Sequence, residues 1–146
     1  MMANGRPLDN GAMTCALWLI GKHGRPLKPD GRLVKISLAK HGWRKAVVCA
    51  WTDNGPGRVP RSRGVICDLT PAAMLALAGP AGIKAGRVKV EVEALGRGVT
   101  MTKILQAVRA LTKNAVAKPV PMDKSIKVIP GGVHHYRTLA EIKRMA

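Results

Sequence analysis

At 146 residues the chain has room for one domain and an appendage, but not for two independent hydrophobic cores. Apolar residues make up 47% of it while aromatics supply only 3%, so any core must be assembled from aliphatic side chains. A formal net charge of +17 either attracts polyanions (nucleic acid, acidic protein, phosphate-bearing polymer or anionic membrane) or is a solubilising surface on a small protein.

Ala3 to Gly11 is turn-rich, with Asn4-Gly5, Pro7 and Asp9-Asn10-Gly11. Met13 to Ile20 is an apolar run that predicts a buried strand, and it is far shorter than the roughly 18 residues of a membrane span. Gly21 to Gly31 predicts a basic loop. Arg32 to Leu38 alternates enough for a half-exposed strand, and after a turn at Lys40-His41-Gly42 the Val-rich segment Ala46 to Trp51 predicts a central one. An acidic turn, Asp53 to Pro56, follows.

Arg58 to Gly64 predicts a second basic loop, feeding a strand over Val65 to Leu69. Thr70 is a good N-cap and Pro71 suits the first helical position, so a helix is predicted over Ala72 to Ala78 with Gly79 ending it. Val88, Val90 and Val92 alternate with Lys89, Glu91 and Glu93, which predicts a strand with one wet face over Arg87 to Leu95. Met101 to Ala115 carries helical periodicity in Ile104, Leu105, Val108 and Leu111. Beyond the linker Ala117 to Pro121, a short strand is predicted over Ser125 to Ile129, a turn at Pro130-Gly131-Gly132, and a basic helix from Tyr136 to Ala146. The division expected is therefore a β-domain over 1–97 and a basic extension over 98–146, docked on that domain or on a partner. Charge does not separate the two: residues 1–99 carry 16 basic and 6 acidic side chains, residues 100–146 carry 9 and 2.

The ordered set of short motifs resembles the rare lipoprotein A family, whose double-psi β-barrels include peptidoglycan lytic transglycosylases. Ala3-Asn4-Gly5-Arg6, Leu8-Asp9 and Met13-Thr14-Cys15-Ala16-Leu17 are similar to its opening segments. Pro29 to Ile36 is similar to its strand entry, Thr52-Asp53-Asn54-Gly55-Pro56 to its acidic turn, Val65 to Ala73 to its psi-loop and helix start, and Val88 to Val92 to its closing strand. The resemblance covers about two-thirds of the chain and implies a mainly β fold: a six-stranded double-psi β-barrel with a short helix after the acidic loop and a partly helical C-terminal extension.

It also implies three polar positions around a cleft, a Glu, a His and an Asp, which fall here on Arg6, Leu17 and Asp53. Only the Asp is kept. Asp53 has two readings: a carboxylate that caps its own turn, or a general acid able to protonate a glycosidic oxygen. Arg6 nearby would hold it ionised, against the second reading. Asp68 is expected to anchor the psi-loop at the start of the helix. Trp51 and Asn54 are the candidate glycan contacts, Trp18 is expected in the core, and Trp43 on a hairpin turn is a candidate contact anchor.

Lys22, Arg25, Arg58, Arg61 and Arg63 are the candidate anion- or partner-binding rim, against a plain solvated face. An insertion of about ten residues between Leu17 and Pro29 carries His23, which is either a substitute for the missing His or a solvated loop residue. His134-His135 lacks a third ligand nearby, and Cys15, Cys49 and Cys67 form no Cys-x-x-Cys pair and no ligand cluster. No metal and no cofactor is expected. The thiols are expected to be small buried hydrophobes, with a Cys49–Cys67 bridge left open.

Without an export signal ahead of Ala3, the expectation is cytoplasmic synthesis and association with a virus particle. The function expected is a non-catalytic structural or adaptor protein, such as a phage tail or baseplate component with some peptidoglycan affinity, whose partners are other subunits with acidic surfaces. The alternatives are an active lytic transglycosylase working through Asp53 and a nucleic-acid-binding basic module.

Overall fold

The computed structural model describes residues 2, 5–96, 98–112 and 120–128. Seven strands run β1 (Thr14–Ala16), β2 (Leu19–Ile20), β3 (Leu33–Leu38), β4 (Ala46–Asp53), β5 (Asp68–Leu69), β6 (Val90–Ala94) and β7 (Lys127–Val128). Three helices join them: α1 (Arg58–Ser62), α2 (Pro71–Ala85) and α3 (Met101–Thr112), with a 3-10 turn over Gly42–Lys45. Five strands form one curled sheet in the order β5-β1-β4-β3-β6, and β2 with β7 form a separate pair. The architecture is mixed α/β, a half-barrel covered by helices.

The mainly β expectation holds only in part. Among the described residues the large sheet has five strands, not six, and no pairing joins its outer strands β5 and β6 to close it. The reason is local. Val65 to Leu69 was expected to run as a strand, but only Asp68 and Leu69 pair, antiparallel to Ala16 and Cys15 of β1. The preceding residues are held instead by a tight turn, with Val65 N–H donating to Pro60 O at 3.2 Å and Gly64 N–H to Arg61 O at 3.1 Å.

β1 is the junction of the sheet. It lies parallel to β4 on one side and antiparallel to β5 on the other. Its register with β4 slips between Cys15 and Ala16, so that Ala16 comes opposite Asp53. That slip interrupts the predicted Met13–Ile20 strand, and the chain resumes at β2 after Leu17 and Trp18. The predicted Gly21–Gly31 loop contains a compact turn: Gly21 N–H donates to Arg25 O at 2.9 Å, Leu27 N–H to Leu19 O at 2.9 Å, and Ile20 bridges Pro26.

Alternation in β3 and β4 sorts the core onto the two faces of the sheet. Val34, Ile36, Val47, Cys49 and Trp51 join Cys15, Leu17 and Leu19 on the concave face, where Ala73 and Leu77 of α2 cover them. Leu33 and Val48 point the other way, toward Trp43, Leu95, Ile104 of α3 and Val120. The outer face of β3 is therefore not half-exposed. Lys35 is buried there, its ammonium 4.7 Å from the Trp43 ring centre and 3.2 Å from Glu93 Oε1, so the buried charge is both paired and stacked. Leu105, expected on the apolar face of α3, is exposed.

Helix α2 starts as predicted, with Ala73 N–H donating to Thr70 Oγ1 at 3.4 Å and Pro71 in the first turn. It does not stop at Gly79. That residue turns with φ of 67°, a conformation glycine tolerates, and Pro80 starts a second helical segment on the far side of the kink. The predicted basic loop at Arg58–Gly64 contains α1. The chain then returns after α3: Gly96 N–H donates to Pro121 O at 2.8 Å, Asp123 N–H donates to Ala94 O at 3.0 Å, and β7 pairs with β2. Thus residues 120–128 lie against the half-barrel. Ala3, Asn4, Lys113 to Ala115, Ile129, the Pro130-Gly131-Gly132 turn, His134-His135 and the Tyr136–Ala146 helix fall outside the described residues.

Thr70 ties three segments together, because its hydroxyl donates to Ala12 O at 2.6 Å while capping α2. Thr70→Val, which keeps the shape and removes the hydroxyl, is expected to lower unfolding free energy by about 1–3 kcal/mol in urea titrations, through the stranded Ala12 carbonyl and the lost cap.

Candidate functional site

The acidic turn is assembled from β1, the end of β4, α1 and β5. Asp53 ends β4, and its carboxylate accepts the Asn54 N–H at 2.8 Å while its carbonyl accepts the Leu17 N–H at 3.1 Å. The turn-capping role expected for Asp53 is therefore present. The Gly55-Pro56 peptide bond that follows is cis, and both residues are buried.

Asp68 faces this turn from the opposite side of β1. Ala16 is opposite Asp53 in one register and opposite Asp68 in the other, so one alanine separates the two acidic positions. Gly55 fills the remaining gap: a Cβ there would lie 3.1 Å from Asp68 Oδ2 and 3.1 Å from the Ala16 Cβ. A side chain there would crowd both neighbours by a few tenths of an ångström, so glycine eases the close approach of the Asp68 carboxylate. Partial desolvation, with the Asp53 charge as the second cause, raises the Asp68 carboxyl above the ordinary carboxylate range. Sequence alone implies no more than an anchoring role for Asp68. Its place in this pair does not follow from the run Val65-Ile66-Cys67-Asp68, which the resemblance assigns to the psi-loop.

The tryptophans exchange the roles expected of them. Trp51 is fully buried and donates its indole N–H to Leu17 O at 3.1 Å, so it has no open face for a sugar ring. Trp18 is the one at the turn. It is half-buried and donates its indole N–H to Pro56 O at 2.8 Å, while the Arg61 guanidinium stacks 4.8 Å from its ring centre. Asn54, the other candidate glycan contact, is half-buried at the turn.

Arg61 is 2% exposed, which withdraws it from the proposed basic rim and makes it a clamp on Trp18. Arg58 and Arg63 are exposed at α1, and Lys22, His23 and Arg25 are exposed on the inserted turn. At the catalytic positions implied by the family resemblance, Leu17 is fully buried and Arg6 is exposed. Arg6 belongs to a segment held near the end of β4: its carbonyl accepts the Met2 N–H at 2.8 Å, and Met2 Sδ lies 3.2 Å from Thr52 Oγ1.

Beside Asp68 a groove of about 970 Å³ occupies the open seam of the half-barrel, between the Arg63–Leu69 segment and the start of β6. Val65, Ile66, Met74 and Val88 give it apolar walls. Cys67 opens into it as well. The three cysteines are free, and Cys15 reaches both Cys49 and Cys67. Among the described residues no His, Cys, Asp and Glu group has the geometry to hold a metal ion, and no helix is long and apolar enough to cross a membrane.

Compared with known proteins, the chain matches no protein-family model and no curated protein.

The raised Asp68 carboxyl carries a definite sign. Its folded value lies above its unfolded one, so native protein holds the proton more tightly, and stability falls as pH rises from the ordinary carboxylate value through the raised one. Asp30 behaves oppositely: its ion pair with Arg32 lowers it, and the stability it gives is lost as pH falls. Urea unfolding of wild type and Asp68→Asn across the acidic range isolates the first effect. Wild type is expected to lose stability relative to the variant as pH rises through that window, and the two curves to run parallel above it.

Proposed function

We propose that the chain is a rare lipoprotein A-like double-psi β-barrel that has kept its scaffold, lost its cutting groups and serves as a structural or adaptor subunit, in a virion tail or baseplate, with residual affinity for peptidoglycan. The observation that carries this reading is Leu17. Where the family's lytic enzymes are expected to present a His to the cleft, this chain buries a leucine completely and ties its backbone to Asp53. A buried aliphatic side chain moves no proton. Arg6, at the Glu position, adds positive charge where an acid would be wanted.

Two further features support an assembly role. The open seam offers apolar walls beside two strand edges, the kind of surface to which an added strand from another subunit can pair. A sixth strand there would complete the barrel that the resemblance implies. The charge of +17 would draw the protein toward acidic subunits and the phosphate-bearing polymers of a cell wall. Virion-associated protein made in the cytoplasm fits this role.

The Asp53–Asp68 pair favours a second reading, the active lytic transglycosylase. Asp68, raised by partial burial and then by the nearby Asp53, is the site's best proton donor, and transglycosylation needs one proton delivered to the glycosidic oxygen while the sugar's own hydroxyl attacks. Incubation with purified sacculi separates the readings. The adaptor is expected to sediment with them, increasingly less as salt rises, and to release no anhydro-muropeptides. Release that disappears in Asp53→Asn and Asp68→Asn would establish the enzyme instead. A nucleic-acid-binding module, the third reading, requires retention on DNA that persists when sacculi compete.

A further inference from the structure

The three thiols share one face of the sheet. In the β1–β4 register Cys15 is opposite Trp51, so Cys49 is its diagonal neighbour two residues away on the same face. In the β1–β5 register Cys15 is opposite Leu69, and Cys67 holds the corresponding diagonal place on the other side. Cys15 and Cys49 are buried, whereas Cys67 is partly exposed and lines the seam groove. Cys15 thus lies between a sealed thiol and one open to solvent.

Arg63, Arg87 and Lys89 line the same groove as Cys67, against Asp68 and Glu91. A groove of about 970 Å³ with a cationic excess is large enough to admit a small anionic disulfide and attracts it to the wall that carries Cys67. From this juxtaposition we infer that Cys67 is a thiol-modification site for low-molecular-weight anionic disulfides of the glutathione type, and that Cys15 beneath it is the resolving thiol.

The chemistry balances in two exchanges. The Cys67 thiolate attacks one sulfur of the small disulfide, forming a mixed disulfide on Cys67 and releasing one small thiolate. The Cys15 sulfur then attacks the Cys67 sulfur, forming the Cys15–Cys67 bond and releasing the second small thiolate. The protons lost by the two cysteines end on the two departing thiols, so two protein thiols are oxidised and one small disulfide is reduced. Diagonal neighbours sit roughly 7–8 Å apart between Cα atoms, while disulfides span about 4.4–6.8 Å. The shift required falls on the segment before β5, which is held by a turn instead of a strand ladder. Cys15 is the slower partner: its hydrogen bond with Cys49 favours the thiolate, but contact with Cys67 and burial outweigh it and push the thiol well up.

The bridge would fasten β1 to the residue immediately before Asp68, next to the acid pair. Treating the full-length protein with oxidised glutathione under native conditions, quenching with acid and mapping disulfides by mass spectrometry tests the assignment. Wild type is expected to show transient glutathione on Cys67, replaced by a Cys15–Cys67 linkage. Cys15→Ser is expected to retain glutathione on Cys67, and Cys67→Ser to take up none until it is unfolded. Wild-type protein in which Cys67 stays unmodified, keeps its glutathione indefinitely or leaves a Cys15–Cys49 bridge overturns the inference without reliance on any variant's folding.

Discussion

Strand β1 is three residues long, and the rest of the molecule is organised by what it separates. Its parallel pairing with β4 and antiparallel pairing with β5 bring together chain segments about fifteen residues apart, one on either side of α1 in the chain. The register slip at Cys15–Ala16 sets the two acidic residues on either side of one alanine. Hydrogen bonds seal the arrangement at both ends: Leu17 N–H reaches the Asp53 carbonyl, and Thr70 N–H reaches the Thr14 carbonyl at 3.2 Å. A longer β1 in perfect register would bury the same apolar side chains, but it would not place Asp53 opposite Ala16.

Around that junction the aromatic residues act as fasteners, not as a binding platform. Trp51 fills the concave core and ties itself to Leu17, while Trp18 holds the Pro56 carbonyl and accepts Arg61 on its face. Each has an apolar body and one N–H that must find a partner when buried. With three tryptophans in the whole chain, using them this way leaves little aromatic surface for stacking on a ligand. The same economy appears on the outer face, where Trp43 shields the buried Lys35.

Much of the fold could be read in the sequence wherever one period dominated. The alternating β6 and the Thr70-Pro71 start of α2 fall where they were expected, and the Val-rich β4 starts at Ala46 as expected but runs two residues further, to Asp53, because local pattern and tertiary demand agree there. The failures have a shared cause. Met13 to Ile20 looks like one strand because every side chain is compatible with burial, yet a slip in register breaks it, and registers are set by partners far along the chain. Val65 to Leu69 fails likewise, since an apolar run shows what can be buried and not which backbone groups find a partner. Arg58 to Gly64 looked like a loop because it is basic and holds Pro60 and Gly64; Arg61 is buried with its guanidinium over the Trp18 ring, a contact made across the fold.

The candidate site was partly legible. Asp53 at a Gly-Pro turn was visible, and so was the absence of a His and a Glu around it. Asp68 and the grouping of the thiols were not, because both depend on β1 standing between segments that show no relation in sequence. Titration of the Asp68 side-chain carboxyl by NMR, with and without Asp53→Asn, examines that juxtaposition directly. Removing the Asp53 charge should bring the Asp68 midpoint down toward that of an ordinary aspartate; a midpoint that stays where it was would show that the two carboxylates do not face each other across β1.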